Sequence, residues 1–137
     1  MDRLKVTAGP YTFIARMERE AAPATCSFFE TLLPFQEQVI HSRWSGEAVW
    51  IPLGDMRTGL GFENHTCHPS RGDFLLYPGG FSETEILLTY GSASFASKMG
   101  ALAGNHFLTV EEGTENLGSL GQLVLWRGAQ GIVFEAA

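Results

Sequence analysis

A chain of 137 residues that is 45% hydrophobic is the size of one domain, spanning residues 1–137, and buries roughly two-thirds of the surface its unfolded form would expose, so it needs no covalent staple. Nine Lys and Arg against fifteen Asp and Glu give a formal charge of −6, and no segment gathers basic residues as a phosphate-tracking surface must, which argues against nucleic acid as a partner. The start, Met1-Asp2-Arg3-Leu4-Lys5-Val6, lacks the apolar centre of a signal peptide and no apolar run approaches the ~18 residues of a spanning helix, so no membrane partner and a cytoplasmic location are expected.

The sixteen glycines are spread between short apolar segments, which favours a mainly β barrel or sandwich over a helical bundle. Leu4, Val6 and Ala8 alternate with Lys5 and Thr7 as in a half-buried strand, and Gly9-Pro10 turns the chain into a second strand from Tyr11 to Met17. A short helix follows, opened by Pro23, closed by Pro34 and striped by Cys26, Phe29 and Leu33, suited to plugging a barrel opening. Phe35 to Trp44 reads as a strand, Ser45-Gly46 as a tight turn, and Glu47 to Pro52 as the returning strand.

From Leu53 to Gly72 no period is sustained, and a loop of that length in a compact domain points to function. Asp73 to Tyr77 and Glu85 to Tyr90 are apolar enough for core strands, parted by the turn Pro78-Gly79-Gly80. Asn105 to Val110 predicts another strand, Thr114 to Arg127 a helix with Leu117, Leu120 and Val124 inward and Gly128 past its end, and Gly131 to Glu135 a last strand.

In that order the elements resemble the cyclophilin fold, and the resemblance covers nearly the whole chain. Ala22-Pro23 with Thr25, Phe28 and Phe29 is similar to the Ala-Pro-x-Thr-x-x-x-Phe helix of cyclophilins, and Asn105 to Gly113 followed by a helix and an apolar strand resembles their ending. More closely, Ala22-Pro23, Thr25-Cys26, Gly61, Glu63-Asn64, Gly72-Asp73, Tyr77-Pro78-Gly79, Tyr90-Gly91 and Gly104-Asn105 resemble a bacterial family of uncharacterised small cyclophilin-like proteins. The resemblance implies a closed antiparallel β-barrel with two capping helices. The Phe-His-Arg and Gln-Gly-Gly-Asp of the prolyl isomerases are missing; His41-Ser42-Arg43 stands nearest, and the resemblance carries the isomerases' hairpin arginine onto Arg43.

A two-residue turn at Ser45-Gly46 would set Trp44 opposite Glu47, Arg43 opposite Ala48 and His41 opposite Trp50, so that His41, Arg43 and Trp50 share a face. An aromatic platform beside a fixed cation suits a carboxylate, a proline ring or a polarised carbonyl. In the long loop, Glu63 is a candidate proton acceptor and Asn64 a candidate hydrogen-bond donor to a ligand carbonyl. Asn105, after Gly104, reads as a turn-shaping residue or a ligand contact. His106, alternating with Leu108 and Val110, reads as a buried hydrogen-bonded histidine or a neutral base in a barrel pocket.

His65-Thr66-Cys67-His68 gathers metal-ligand types without a full zinc set, so it reads as a polar surface loop; no metal and no cofactor are expected. Glu83 and Glu85 share a side of their strand and read as a solvated edge. Cys26, on the helix stripe, reads as an inert core thiol, whereas Cys67 sits in a loop.

These residues lead to a binding domain for a small metabolite or a short peptide segment, in a pocket framed by His41, Arg43, Trp50 and the Glu63 loop. A prolyl isomerase using Arg43 is the alternative. A homo-oligomer joined through uncovered strand edges is a third reading.

Overall fold

The computed structural model describes all residues, 1–137. Its strands are β1 (Arg3–Ala8), β2 (Tyr11–Met17), β3 (Phe35–His41), β4 (Gly46–Gly54), β5 (His65–Thr66), β6 (Asp73–Tyr77), β7 (Thr84–Ala93), β8 (Ala96–Ser97), β9 (Gly100–Ala101), β10 (Gly104–Glu112) and β11 (Gln130–Ala136). Helix α1 spans Pro23–Glu30; a 3-10 turn at Thr114–Asn116 leads into α2, Leu117–Arg127.

Eight strands run in the order β2-β1-β11-β3-β4-β7-β6-β10, and β10 pairs back onto β2 to close the ring, with β5 appended to β10. Every pairing is antiparallel. The protein is therefore a closed antiparallel barrel with two helices, as expected. Closure pairs both sides of each barrel strand, which leaves unpaired edges only at β5 and the β8–β9 hairpin.

The barrel lumen is filled by alternate residues: Leu4, Val6 and Ala8 of β1, Val49 and Ile51 of β4, Phe74 and Leu76 of β6, and Ile86, Leu88 and Tyr90 of β7. Phe29 of α1 meets Phe35, Phe107 and Phe134 edge-on, with ring centroids 5.6, 5.1 and 5.0 Å away, and closes the end where β3 begins. At the end where β3 finishes, α2 buries Leu117, Leu120 and Val124. Gly121 of α2 lies directly on the Tyr90 ring, which leaves no room for a Cβ.

A second apolar layer lies outside the barrel. Ala48, Leu75, Tyr77 and Leu87 point outward from β4, β6 and β7 and are covered by Phe95 and Leu102 from the excursion that carries the β8–β9 hairpin. This explains why Asp73 to Tyr77 and Thr84 to Tyr90 are buried without alternation: both faces are covered, as in strands between two layers. Gly104 permits the cover, since a Cβ there would stand 2.7 Å from Phe95 and 2.9 Å from Leu75.

Candidate functional site

The turn joining β3 and β4 departs from the expected two-residue hairpin. His41 lies opposite Val49 and Ile40 opposite Trp50, one residue away from the expected register, and the Ser42 amide bonds the Ala48 carbonyl across 3.0 Å. The physical reason lies outside the hairpin. Ser45 is captured by the excursion after β7: its carbonyl accepts from the Ser94 amide at 2.9 Å, and its hydroxyl accepts from the Ala96 amide at 3.0 Å and donates to the Ala96 carbonyl at 3.2 Å. The connection widens to meet those bonds. A one-residue slip sends side chains to the opposite face, so His41 parts from Arg43 and Trp50.

His41 instead joins the α2 end of the barrel. Its Nδ1–H donates to the Ser42 carbonyl at 2.8 Å, which leaves Nε2, 2.8 Å from the Tyr90 hydroxyl, as the acceptor in the neutral ring. Burial, then the charge of Glu47, raises the Tyr90 phenol above its usual pKa, against a hydrogen bond with Gln122 that lowers it. The dyad braces α2 against β3 and β7, away from the Arg43–Trp50 pocket.

Arg43 and Trp50 do meet, on the outer wall, in a pocket of about 290 Å³. The β3–β4 connection contributes Arg43 and Trp44, β4 contributes Trp50, β7 contributes Glu85 and Leu87 with Glu83 just before it, and the β8–β9 hairpin contributes Ala96 and Lys98. Arg43 and Lys98 are exposed and neither is within ion-pairing distance of a carboxylate. Past Ser82 and Glu83 the pocket opens into a shallow groove toward Asp55 and Arg57.

Glu85 overturns its reading as a solvated edge. β7 is paired on both sides, with Glu85 between Pro52 and Tyr77, and the residue is only 6% exposed. Pro52 has no N–H to offer, and the Tyr77 hydroxyl, which accepts from the amides of Phe81 and Ser82 at 3.0 and 3.2 Å, makes no bond to Glu85. No hydrogen bond reaches the Glu85 carboxyl. Burial first, and then the negative charge of Glu83, push its pKa up to about 8. Its oxygens reach solvent only through the pocket, since the one fully buried side-chain atom without a partner is Thr89 Oγ1, and a mostly buried carboxyl opening onto a pocket marks a candidate binding or proton-transfer site. The sequence signal was there, since Glu85 opens an otherwise apolar strand.

The other candidates form a separate cluster beside α1. Ala22 offers α1 no side-chain cap. Glu63 supplies one from the long loop, its Oε1 accepting from the Thr25 amide at 2.6 Å and the Thr25 hydroxyl at 2.8 Å, where a carboxylate also complements the helix dipole. Asn105 sits within β10 rather than at a turn, fully buried, and donates to Thr25 Oγ1 and the Gly61 carbonyl at 3.1 and 3.0 Å while accepting from the Glu63 amide at 3.1 Å. Asn64, at φ 48°, donates to the His106 carbonyl at 2.8 Å. Glu63, Asn64 and Asn105 therefore clamp the loop to α1 and β10 rather than framing the pocket at Trp50.

A bulge between His106 and Leu108 breaks the expected alternation: Phe107 and Leu108 are both in the core, and His106 faces outward with Thr109. Its Nε2 lies 2.7 Å from Thr109 Oγ1 and 3.2 Å from Asp73 Oδ1. Burial alone would lower its pKa, but the hydrogen bond and charge of Asp73 and the charge of Glu18 outweigh that and raise it. The ring is therefore a hydrogen-bonded histidine on the outer face of β10, outside the barrel lumen. The chain of contacts continues through Thr109 to Glu18 at 2.8 Å and on to Arg16 at 2.9 Å, which holds Glu18 below the usual carboxylate range.

Cys26 is fully buried, and burial raises its thiol to about 11, which makes it inert. Nowhere do three His, Cys, Asp or Glu side chains gather as a metal site would require, the loop from His65 to His68 included. No helix is long and apolar enough to cross a membrane.

The fold and site together define a closed eight-stranded antiparallel barrel with a polar, tryptophan-lined pocket on its outer wall. The chain belongs to DUF3830, a protein family of unknown function, whose pattern it matches over residues 4–136. No curated protein matches it significantly. Among solved structures it is similar to McbB in complex with tryptophan, at TM-score 0.68 and 14% identity over 97% of this chain, which spans 44% of the length of that one. It is also similar to the hypothetical protein AF2241 from Archaeoglobus fulgidus, at TM-score 0.64 and 16% identity, covering 99% of this chain and 95% of that one. At these identities the likeness is one of fold.

Proposed function

We propose that this protein binds a small metabolite in the outer-wall pocket, with Arg43 and Trp50 as its principal contacts. One observation carries the reading: Arg43 and Trp50 share a pocket of about 290 Å³ with Glu85, a carboxyl that is 6% exposed and lacks any hydrogen-bond partner. That volume is near the small end of ligand pockets and suits a metabolite better than a long peptide. A ligand displaces solvent from the pocket and gives the carboxyl a hydrogen-bond partner that its own chain does not supply. Screening small metabolites by the shift of the Trp50 indole N–H resonance tests this. Hits are expected to lose at least roughly tenfold in affinity in both Arg43→Ala and Trp50→Ala; unchanged affinity in both variants would sink the reading.

Peptidyl-prolyl isomerisation is a second reading, favoured by Arg43 lining the same pocket as Trp50 and the apolar Leu87. A guanidinium held against a prolyl amide weakens its partial double bond, and no covalent bond need break over a barrier of ~20 kcal/mol. Exchange spectroscopy on a short Ala-Pro peptide is the discriminator: faster cis/trans exchange that Arg43→Ala abolishes supports it, and no acceleration removes it.

A further inference from the structure

We infer that the pocket takes an amphoteric small molecule, an amino-carboxylate with an apolar body, whose ammonium meets Glu85 and Glu83 and whose carboxylate meets Arg43 and Lys98. This rests on the pocket being a binding site, and it assigns the chemistry of the ligand. The argument comes from how charge is divided across the cavity. Glu83 and Glu85 lie on one side of β7, and Leu87, two residues on, continues that face as apolar wall beside Trp50. The two cations come from other segments, Arg43 from the β3–β4 connection and Lys98 from the β8–β9 hairpin.

The two sets of charges do not neutralise each other. Neither Arg43 nor Lys98 forms an ion pair, and the influences on Glu85 are burial and the charge of Glu83 alone. The pocket thus carries two carboxyls from β7 and the residue before it and two cations from other segments, with an indole and a leucine alongside, and neither set is paired within the chain. An ammonium offers Glu85 donors and a compensating charge together, and it relieves the repulsion from Glu83. A carboxylate suits the opposite cations for the same reason, and Arg43 can hold it with two parallel bonds.

A proton follows from this. The titratable and charged groups on the elements around Glu85 are Glu83 just before its own strand, Tyr77 on β6, and Arg43 and Lys98 elsewhere in the pocket lining, while β4 presents Pro52 and Trp50; of these only Glu83 shifts it. With burial and Glu83 dominating, the free protein holds Glu85 as the neutral acid at pH 7. When the ammonium binds, the Glu85 O–H bond breaks, its electrons stay on the carboxylate that pairs with the unchanged ammonium, and the proton leaves to buffer. Binding of an amine-bearing ligand at neutral pH therefore releases about one proton, and the release disappears once the pH is well above the pKa of free Glu85.

Phenylalanine, phenethylamine and 3-phenylpropionate separate the two ends. Calorimetry at pH 7 in phosphate and in Tris, whose ionisation heats differ, counts the protons, while the Trp50 indole N–H reports occupancy and the Glu85 side-chain 13C resonance reports its titration. Phenylalanine is expected to bind at least roughly tenfold more tightly than either single-charge probe. The two amine-bearing probes should release a proton, and saturation with phenylalanine should move the Glu85 titration midpoint down by at least about two pH units. Glu85→Gln should abolish the release and weaken phenethylamine while leaving 3-phenylpropionate unchanged. If 3-phenylpropionate or neutral benzyl alcohol shifts the Trp50 indole while the amines do not, or the amines bind with no proton released and the Glu85 midpoint unmoved, this inference is overturned and the pocket remains a binding site. If neither these probes nor the metabolite screen perturbs Trp50, both readings fall together.

Discussion

Two glutamates of this barrel teach opposite lessons. Glu63, in a long polar loop, looks like a free carboxylate awaiting a substrate, yet its Oε1 is held by the Thr25 amide and hydroxyl at 2.6 and 2.8 Å. Glu85, in an apolar strand, looks like a solvated edge, yet it is only 6% exposed, receives no hydrogen bond from its own chain and opens onto a cavity. Hydrogen-bond satisfaction separates scaffold from site: a polar group completed by its own chain holds the fold together, and one left incomplete is available to a ligand.

The largest expected effect tests the Glu85 half of that contrast. Its pKa is raised from 4.5 to about 8, so between these values the folded state binds more protons than the unfolded chain and stability falls as pH rises. At about 1.4 kcal/mol per pKa unit, the loss is at most roughly 5 kcal/mol by the time both states are ionised. Glu85→Gln should match the wild type near pH 4.5 and exceed it at pH 9 in urea unfolding. Parallel pH profiles for the two proteins would mean that Glu85 has a partner after all.

The scaffold half is tested by removing its hub. Asn105→Ala strips bonds to Thr25, Gly61 and Glu63 at once and should cost about 3 kcal/mol, since the buried groups left behind have no water to turn to. Glu63→Ala, which uncaps α1, should cost about 1.5 kcal/mol. Neither change should affect ligand affinity at Trp50; a shared loss of stability and binding would join the two regions that the geometry separates.

Smallest of all is the stability effect of Arg43→Ala. The side chain is exposed and free of ion pairs, so the unfolding free energy should change by less than about 0.5 kcal/mol. The same variant should lose ligand affinity. A residue that contributes little to folding and much to binding is what an incomplete site predicts, and a large stability loss would place Arg43 in the scaffold instead.

Local pattern made several elements legible in the residues. The hairpin of Leu4 to Met17 follows from alternation around Gly9-Pro10, α1 from Pro23 and its apolar stripe, and α2 from Leu117, Leu120 and Val124 ahead of Gly128. Arg43 and Trp50 were also legible as partners, though through a turn register that the structure replaces. His41 was misplaced because Ser94 and Ala96, some fifty positions away, draw Ser45 into their own hydrogen bonds. His106 was misplaced because a bulge resets the alternation of β10.

By itself, then, the sequence determined a single mainly β domain with two helices and the strands that supply its core, because a period of two or of 3.6 is a property of neighbouring residues. Only the tertiary structure decided which glutamate is satisfied and where the pocket lies. A strand's alternation says which side chains share a face, but what covers that face comes from elsewhere: the Glu63 loop folds onto α1, and the excursion carrying Phe95 and Lys98 folds over β7. Glu85 is left mostly buried, open to solvent only through the pocket and without a hydrogen bond from its own chain.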